Sequence, residues 1–210
     1  MLLGTYEMET HPAIERIRGF AIDKVINIGA AAGFYAIGFA RLFPRASIHA
    51  FEAESCFQAM MEQNEIRNSM PDRIVPYGLC TITDVDRLTG TPGLSVVVID
   101  VEGAEVELLD PAKAPSLLQS IVFVELHDIH LPGCTGTIRE RFRETHDIQE
   151  YFSSERQLPT FPFPWMTAAV LRWIPGYQKA LVTSMGESRP GPQNWFLMLP
   201  KKPSDQKVAA

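Results

Sequence analysis

Val25-Ile26-Asn27-Ile28-Gly29-Ala30-Ala31-Ala32-Gly33 is the stretch whose reading decides the fold. A β-branched run breaks into two glycines and small residues, and the pattern then turns helical from Phe34 to Phe43. The order is strand, tight turn, helix. Such a turn lets backbone amides approach a ligand at a helix N-terminus. Glu52, ending the next apolar run, is placed to accept hydrogen bonds from ribose hydroxyls. A nucleotide-type cofactor is the first expectation.

Strand and helix signals alternate outward from this turn, after a short helical segment at Pro12 to Phe20. Strands are expected at Lys24 to Ile28, Ser47 to Glu52, Arg73 to Tyr77, Leu94 to Asp100 and Ile121 to Leu126. Helices are expected at Phe34 to Phe43, Ser55 to Asn68, Ala104 to Leu109 and Thr137 to Thr145. This is the rhythm of an α/β, Rossmann-like, doubly wound parallel sheet. Val96-Val97-Val98-Ile99 and Ile121-Val122-Phe123-Val124 are unbroken apolar runs, as central strands buried on both faces should be. The third crossover, Thr81 to Gly93, has room for little more than one helical turn around Asp84 to Leu88.

The last third departs from that rhythm. Strands at Ile148 to Phe152 and Asn194 to Leu199 bracket an insertion rich in Pro and aromatic residues, in which Met166 to Ile174 could form an amphipathic helix. If Ile148 to Phe152 runs parallel to the central strands, residues 153–193 emerge above the ligand crevice, as a lid or as an oligomer contact. The organisation expected is one domain over residues 1–200, followed by a flexible tail at 201–210.

The 210 residues are 46% hydrophobic and 21% charged, which fits one globular domain with a substantial core. A net charge of −6 argues against a broad nucleic-acid footprint. Cys56, Cys80 and Cys134 contain no C-x-x-C pair, so neither a disulfide framework nor a thiolate metal site is expected. No basic leader or membrane-length apolar run is visible, and the expected setting is cytoplasmic.

The glycine turn narrows the cofactor. A dinucleotide site prefers G-x-G-x-x-G, yet with Gly29 in the middle the outer positions hold Asn27 and Ala32. The spacing Gly29-x-x-x-Gly33 suits a cofactor lacking a pyrophosphate, whose carboxylate and amine pair with backbone groups. S-adenosylmethionine has that shape. The structural alternative is that both glycines only permit a sharp turn and close helix packing.

Asn27-Ile28-Gly29-Ala30-Ala31-Ala32-Gly33-Phe34-Tyr35, Phe51-Glu52, Ile99-Asp100-Val101-Glu102-Gly103-Ala104-Glu105 and Val124-Glu125-Leu126-His127 resemble successive motifs of class I S-adenosylmethionine-dependent methyltransferases, most closely the FkbM-like group. The resemblance runs from about Gly4 to Asp128, with a looser match from Asn194 to Pro200. It implies a seven-stranded sheet of order 3-2-1-4-5-7-6 with the last strand antiparallel, helices on both faces, and the cofactor over the carboxyl ends of the strands. It also implies methylation of a hydroxyl on a sugar or small molecule. Carried over by position, Gly29, Ala31 and Gly33 line the methionine part, Glu52 the ribose, and Asp100 the cofactor amine or the reaction centre. Asn27 and Glu7 join the cofactor-binding set, the latter in a Gly-Thr-Tyr-Glu segment that closes over the cofactor. Ala53 stands where the family often has proline. For adenine, backbone amides around Gly78 to Thr81, or the Cys80 side chain, are the available contacts.

Asp100 and Glu102 lie where the buried fourth strand ends, either facing the crevice or capping the next helix, whose positive end Glu105 and Glu107 favour. Glu125 and His127 point to one side by strand alternation. His127 suits a general base, with Asp100 and Glu102 the next candidates; a strand-end histidine bonded to a loop carbonyl is the alternative. Asp100, Glu125, His127, His130 and His146 are metal-ligand types, but nothing resembles H-E-x-x-H and no metal is expected. His146 is expected to cap or pack at a helix end. The function expected is O-methylation of a small-molecule or carbohydrate acceptor, without nucleic-acid or membrane partners, and with homo-oligomerisation through the insertion left open. A non-catalytic cofactor-binding scaffold and a nicotinamide-dependent oxidoreductase are the alternatives.

Overall fold

The apolar runs become strands wherever both faces can be covered. The computed structural model describes residues 6–153 and 194–201. Expectations for the insertion at 153–193, including its helix at 166–174, and for the tail at 201–210 lie outside the described residues, except at Ser153 and Lys201. The strands are β1 (Lys24–Ile28), β2 (Ser47–Phe51), β3 (Ile74–Tyr77), β4 (Ser95–Ile99), β5 (Ile121–Leu126), β6 (His146–Phe152) and β7 (Asn194–Pro200). They form one sheet of order β3-β2-β1-β4-β5-β7-β6. The first five pair in parallel, and β7 is antiparallel to both β5 and β6.

Alternation along the strands divides the core into two layers. Val25, Val96, Val98 and Phe123 pack on one face against α1 (His11–Ile17), α2 (Phe34–Leu42) and Met61 of α3 (Ser55–Arg67). Ile26, Ile28, Val97 and Val124 pack on the other against α4 (Ile82–Thr89), α5 (Glu105–Leu108) and α6 (Cys134–Phe142). Phe123 and Trp195 stack on the first face with centroids 4.5 Å apart, a contact worth about 0.5–1.5 kcal/mol beyond the area it buries.

Several boundaries differ from expectation for local reasons. The third crossover holds two helical turns rather than one, because Thr81 and Asp84 form a reciprocal capping box that starts α4 at Ile82. α6 begins at Cys134 rather than Thr137: Gly133 takes φ 85°, and the Asp128 carboxylate accepts N–H bonds from Gly133 and Thr135 at 3.1 and 3.3 Å. β6 starts at His146 because it pairs with β7 along its whole length, His146 opposite Pro200. β2 and β4 stop at Phe51 and Ile99, so Glu52 and Asp100 stand just beyond the sheet.

The carboxyl edge is drawn tight at β1. Gly29 and Ala30 donate N–H bonds to the Phe51 carbonyl, and Asp100 donates to the Ile28 carbonyl. A β-carbon built on Gly29, whose φ is 76°, would lie 1.7 Å from the Asp100 carbonyl oxygen. Gly33, with φ 87°, performs a different task, since a β-carbon there would meet Met61 at 2.7 Å where α2 packs on α3.

Urea unfolding should separate glycines that fill different needs. Gly29→Ala is expected to lose on the order of 3 kcal/mol or more, whereas Gly38→Ala, inside α2 with open space around it, should gain about 0.5–1 kcal/mol. A neutral result at Gly29 would contradict the close approach. His146 supplies a pH test. Its buried ring faces the Ser120 carbonyl at 3.0 Å and the Thr145 hydroxyl at 2.9 Å, and burial lowers its pKa from 6.5 despite the Ser120 bond. The unfolded chain then binds the proton more readily, so this contribution is complete above the unfolded pKa and is lost as pH falls. Stability should therefore drop less between about pH 7.5 and about pH 5.5 in His146→Gln than in the parent chain.

Candidate active site

The turn after β1, the end of β2 and the end of β4 frame a cavity of about 610 Å³. Gly29, Ala31, Glu52, Asp100 and Glu102 line it, bringing together five residues singled out from the sequence. Phe57 from α3 and Leu79, Cys80, Thr81 and Ile82 after β3 form the apolar side. This volume lies within the usual range for small-molecule and cofactor sites, roughly 300–1,000 Å³.

Glu52 holds the glycine turn in shape. One carboxylate oxygen accepts the Ala31 N–H at 2.7 Å and the other accepts the Glu54 N–H at 2.9 Å. Ala31 takes φ 45°, a left-handed conformation costly for a residue with a β-carbon. A carboxylate has about four lone-pair directions, so two hydrogen bonds leave capacity for ligand hydroxyls. Burial pushes the Cys80 thiol up to about 12, leaving a neutral wall rather than a nucleophile.

Asn27, Gly33, Glu7 and His127 are not among the cavity-lining residues. Asn27 is 1% exposed in the middle of the sheet, and both side-chain polar atoms lack a partner among the described residues. Glu7 is fully buried with φ 45° and accepts a hydrogen bond from the Tyr35 hydroxyl. Burial, reinforced by the Glu7 carboxylate, pushes the Tyr35 pKa well above its ordinary value. Tyr6 packs edge-on against Phe34 at 4.6 Å, so this segment lies over the start of α2.

His127 follows β5 and joins a carboxylate cluster. Its Nδ1 stands 2.6 Å from a Glu105 oxygen, while Nε2 is 3.7 Å from Asp100 and 3.9 Å from Glu125. Burial draws the His127 pKa down, but the Glu105 hydrogen bond and charge, with Asp100 and Glu102, outweigh it and the net shift is upward. Glu105 shifts oppositely: burial raises its pKa, yet bonds from His127 and the Gly103 N–H leave it lowered. Glu102 departs from the cluster. Its side chain is 75% exposed and reaches His130 at 3.6 Å, from a backbone at φ 51°.

Glu105 stands in the first turn of α5 as the sequence implied, and its further role at the site was missed. As a first-turn acid it suits the helix dipole, but its carboxylate is fully buried beneath His127. No local pattern announces a contact across 22 positions. Phe57 and Leu79, 40% and 77% exposed beside the cavity, were likewise missed, because no local spacing distinguishes an apolar side chain at a cavity wall from one in the core. Among the described residues, no helix is long and apolar enough to cross a membrane.

By sequence the chain matches no protein-family model and no curated protein. By structure it is similar to an O-methyltransferase from Bacillus cereus in complex with S-adenosylhomocysteine, at TM-score 0.55 and 12% identity, covering 92% of this chain and 80% of that one. It is similar to TomG from Streptomyces achromogenes, an O-methyltransferase of tomaymycin synthesis in complex with S-adenosylmethionine, at TM-score 0.54 and 14% identity, covering 92% and 79%. Precorrin-6y C5,15-methyltransferase from Geobacter metallireducens gives TM-score 0.55 and 11% identity, covering 90% and 86%. At these identities the likeness is one of fold, and the fold of this chain is that of the class I S-adenosylmethionine-dependent methyltransferases.

Proposed function

We propose that this protein is an S-adenosylmethionine-dependent methyltransferase acting on a hydroxyl oxygen of a small molecule or carbohydrate. The observation that carries this reading is the cavity at the carboxyl edge, where Gly29, Ala31, Glu52 and Asp100 meet in one wall. Glu52 would hold the ribose, the turn from Gly29 the methionine end, and Phe57 with Leu79 to Ile82 the adenine. Asp100 would pair with the cofactor amine.

The charge of the wall supports this cofactor over a nicotinamide dinucleotide. Glu52, Asp100, Glu102 and Glu107 line the cavity, and no described lining residue is Lys or Arg. Such a surface attracts a sulfonium and an ammonium and repels a pyrophosphate. The cofactor supplies an electrophilic methyl group on a positively charged sulfur, which becomes neutral once the methyl has left. The protein must hold the acceptor oxygen in line with the methyl carbon, at about 3–3.5 Å. The hydroxyl proton departs into the cluster of His127, Asp100 and Glu125 beside the cavity; exposed Glu102 serves the rim.

Calorimetric titration should show S-adenosylhomocysteine binding, weakened about tenfold or more in Glu52→Ala, and no comparable binding of NAD. Tight NAD binding without S-adenosylhomocysteine binding would reverse the assignment. With methyl-labelled cofactor and an acceptor found in a metabolite extract, His127→Ala should lose about a hundredfold in single-turnover rate, with cofactor affinity nearly unchanged. An undiminished rate in the folded variant removes His127 from the chemistry. Cofactor binding with no label transferred to any acceptor supports the scaffold reading instead.

A further inference from the structure

The ends of β4 and β5 carry a second inference that does not depend on the methyl-transfer reading. We propose that Asp100, Glu125 and His127 form a binding site for one divalent first-row transition-metal ion. Each offers one ligand atom, and the three atoms lie within 4.8 Å of one another.

The distances fit a shared central ion. His127 Nε2 is 3.7 Å from the Asp100 carboxylate and 3.9 Å from that of Glu125, ion-pair separations longer than a hydrogen bond, which ends near 3.2 Å. Two atoms bound to one ion at about 2.1 Å are about 3.4 Å apart in a tetrahedron and about 4.2 Å apart when opposite. The observed separations fall between these limits. Asp100, with 27% of its side chain exposed, forms the open corner of the triangle.

The imidazole is oriented for ligation. Glu105, fully buried and accepting the Gly103 N–H at 3.1 Å, sits 2.6 Å from His127 Nδ1. Accepting the Nδ1 proton leaves the Nε2 lone pair directed at Asp100 and Glu125. A carboxylate behind the imidazole is the arrangement that fixes tautomer and ring angle in metal-ligating histidines.

The strand register explains why no helical motif announces the set. Glu125 and His127 share a side by alternation, and the pairing of Ile99 with Val124 sets Asp100 opposite Glu125 on the neighbouring strand. Two carboxylates and one imidazole, without thiolate, suit Mn2+, Fe2+ or Zn2+ rather than a soft monovalent ion. Glu125 and His127 are buried, whereas Asp100 lines the cavity, so the remaining coordination positions border that space.

The test uses the full chain, stripped with a chelator, and Mn2+ alone as probe, with the free-ion electron paramagnetic resonance signal as readout. One equivalent should bind and be displaced by Zn2+. Asp100→Asn and Glu125→Gln should each weaken binding about tenfold or more, and Glu140→Gln, an exposed acid of α6 paired with Arg143, should not. Failure of both ions to bind at about millimolar concentration, or parent-like binding by Asp100→Asn and Glu125→Gln, overturns the inference. S-adenosylhomocysteine affinity measured on the same stripped samples separates the two readings. Normal cofactor binding without metal binding removes only the metal site, and the converse removes only the methyltransferase.

Discussion

The close approach of two backbone turns organises everything at the carboxyl edge. Gly29 and Asp100 leave neighbouring strands so near each other that no side chain fits between them. This constraint brings the turn before α2 and the turn before α5 to one crevice, with Glu52 joining from the third strand end. The Ala31 N–H bond to Glu52 then ties the loop to β2. Strain at Ala31 and Glu102, both at positive φ, is confined to these turns and is borne by the buried strands beneath them.

Charge is distributed in depth rather than evenly. Glu102 is exposed, Glu52 and Asp100 are half-buried, and Glu105 and Glu125 are buried with His127 among them. An imidazole in that position is anchored from behind and presents one nitrogen forward. The same geometry suits a proton acceptor and a metal ligand, because both need Nδ1 occupied and Nε2 available.

The structural neighbours include O-methyltransferases and a precorrin C5,15-methyltransferase on closely similar architectures. Sheet order is therefore common to enzymes of different reactions, and what distinguishes them lies in residues outside the common frame. In this chain β6 runs parallel to β5 and ends at Phe152, on the carboxyl side of the sheet.

The strands and their sequence order were legible from residues alone, because buried parallel strands need unbroken apolar runs and Gly29 interrupts one of them at a ligand edge. The resemblance supplied the sheet order, while Glu52 and Asp100 were already marked by the ends of apolar runs. Helix starts were less legible where the signal was a cap: the Thr81 and Asp84 box and the Asp128 bonds to α6 were both overlooked. The sequence by itself determined where strand ends would place acids, since strand alternation and turn chemistry are local. Only the tertiary structure decided which acids meet His127. Glu105 and Glu125 arrive there through helix docking and strand register, and Glu102 turns away to His130, outcomes of long-range packing that no local spacing encodes.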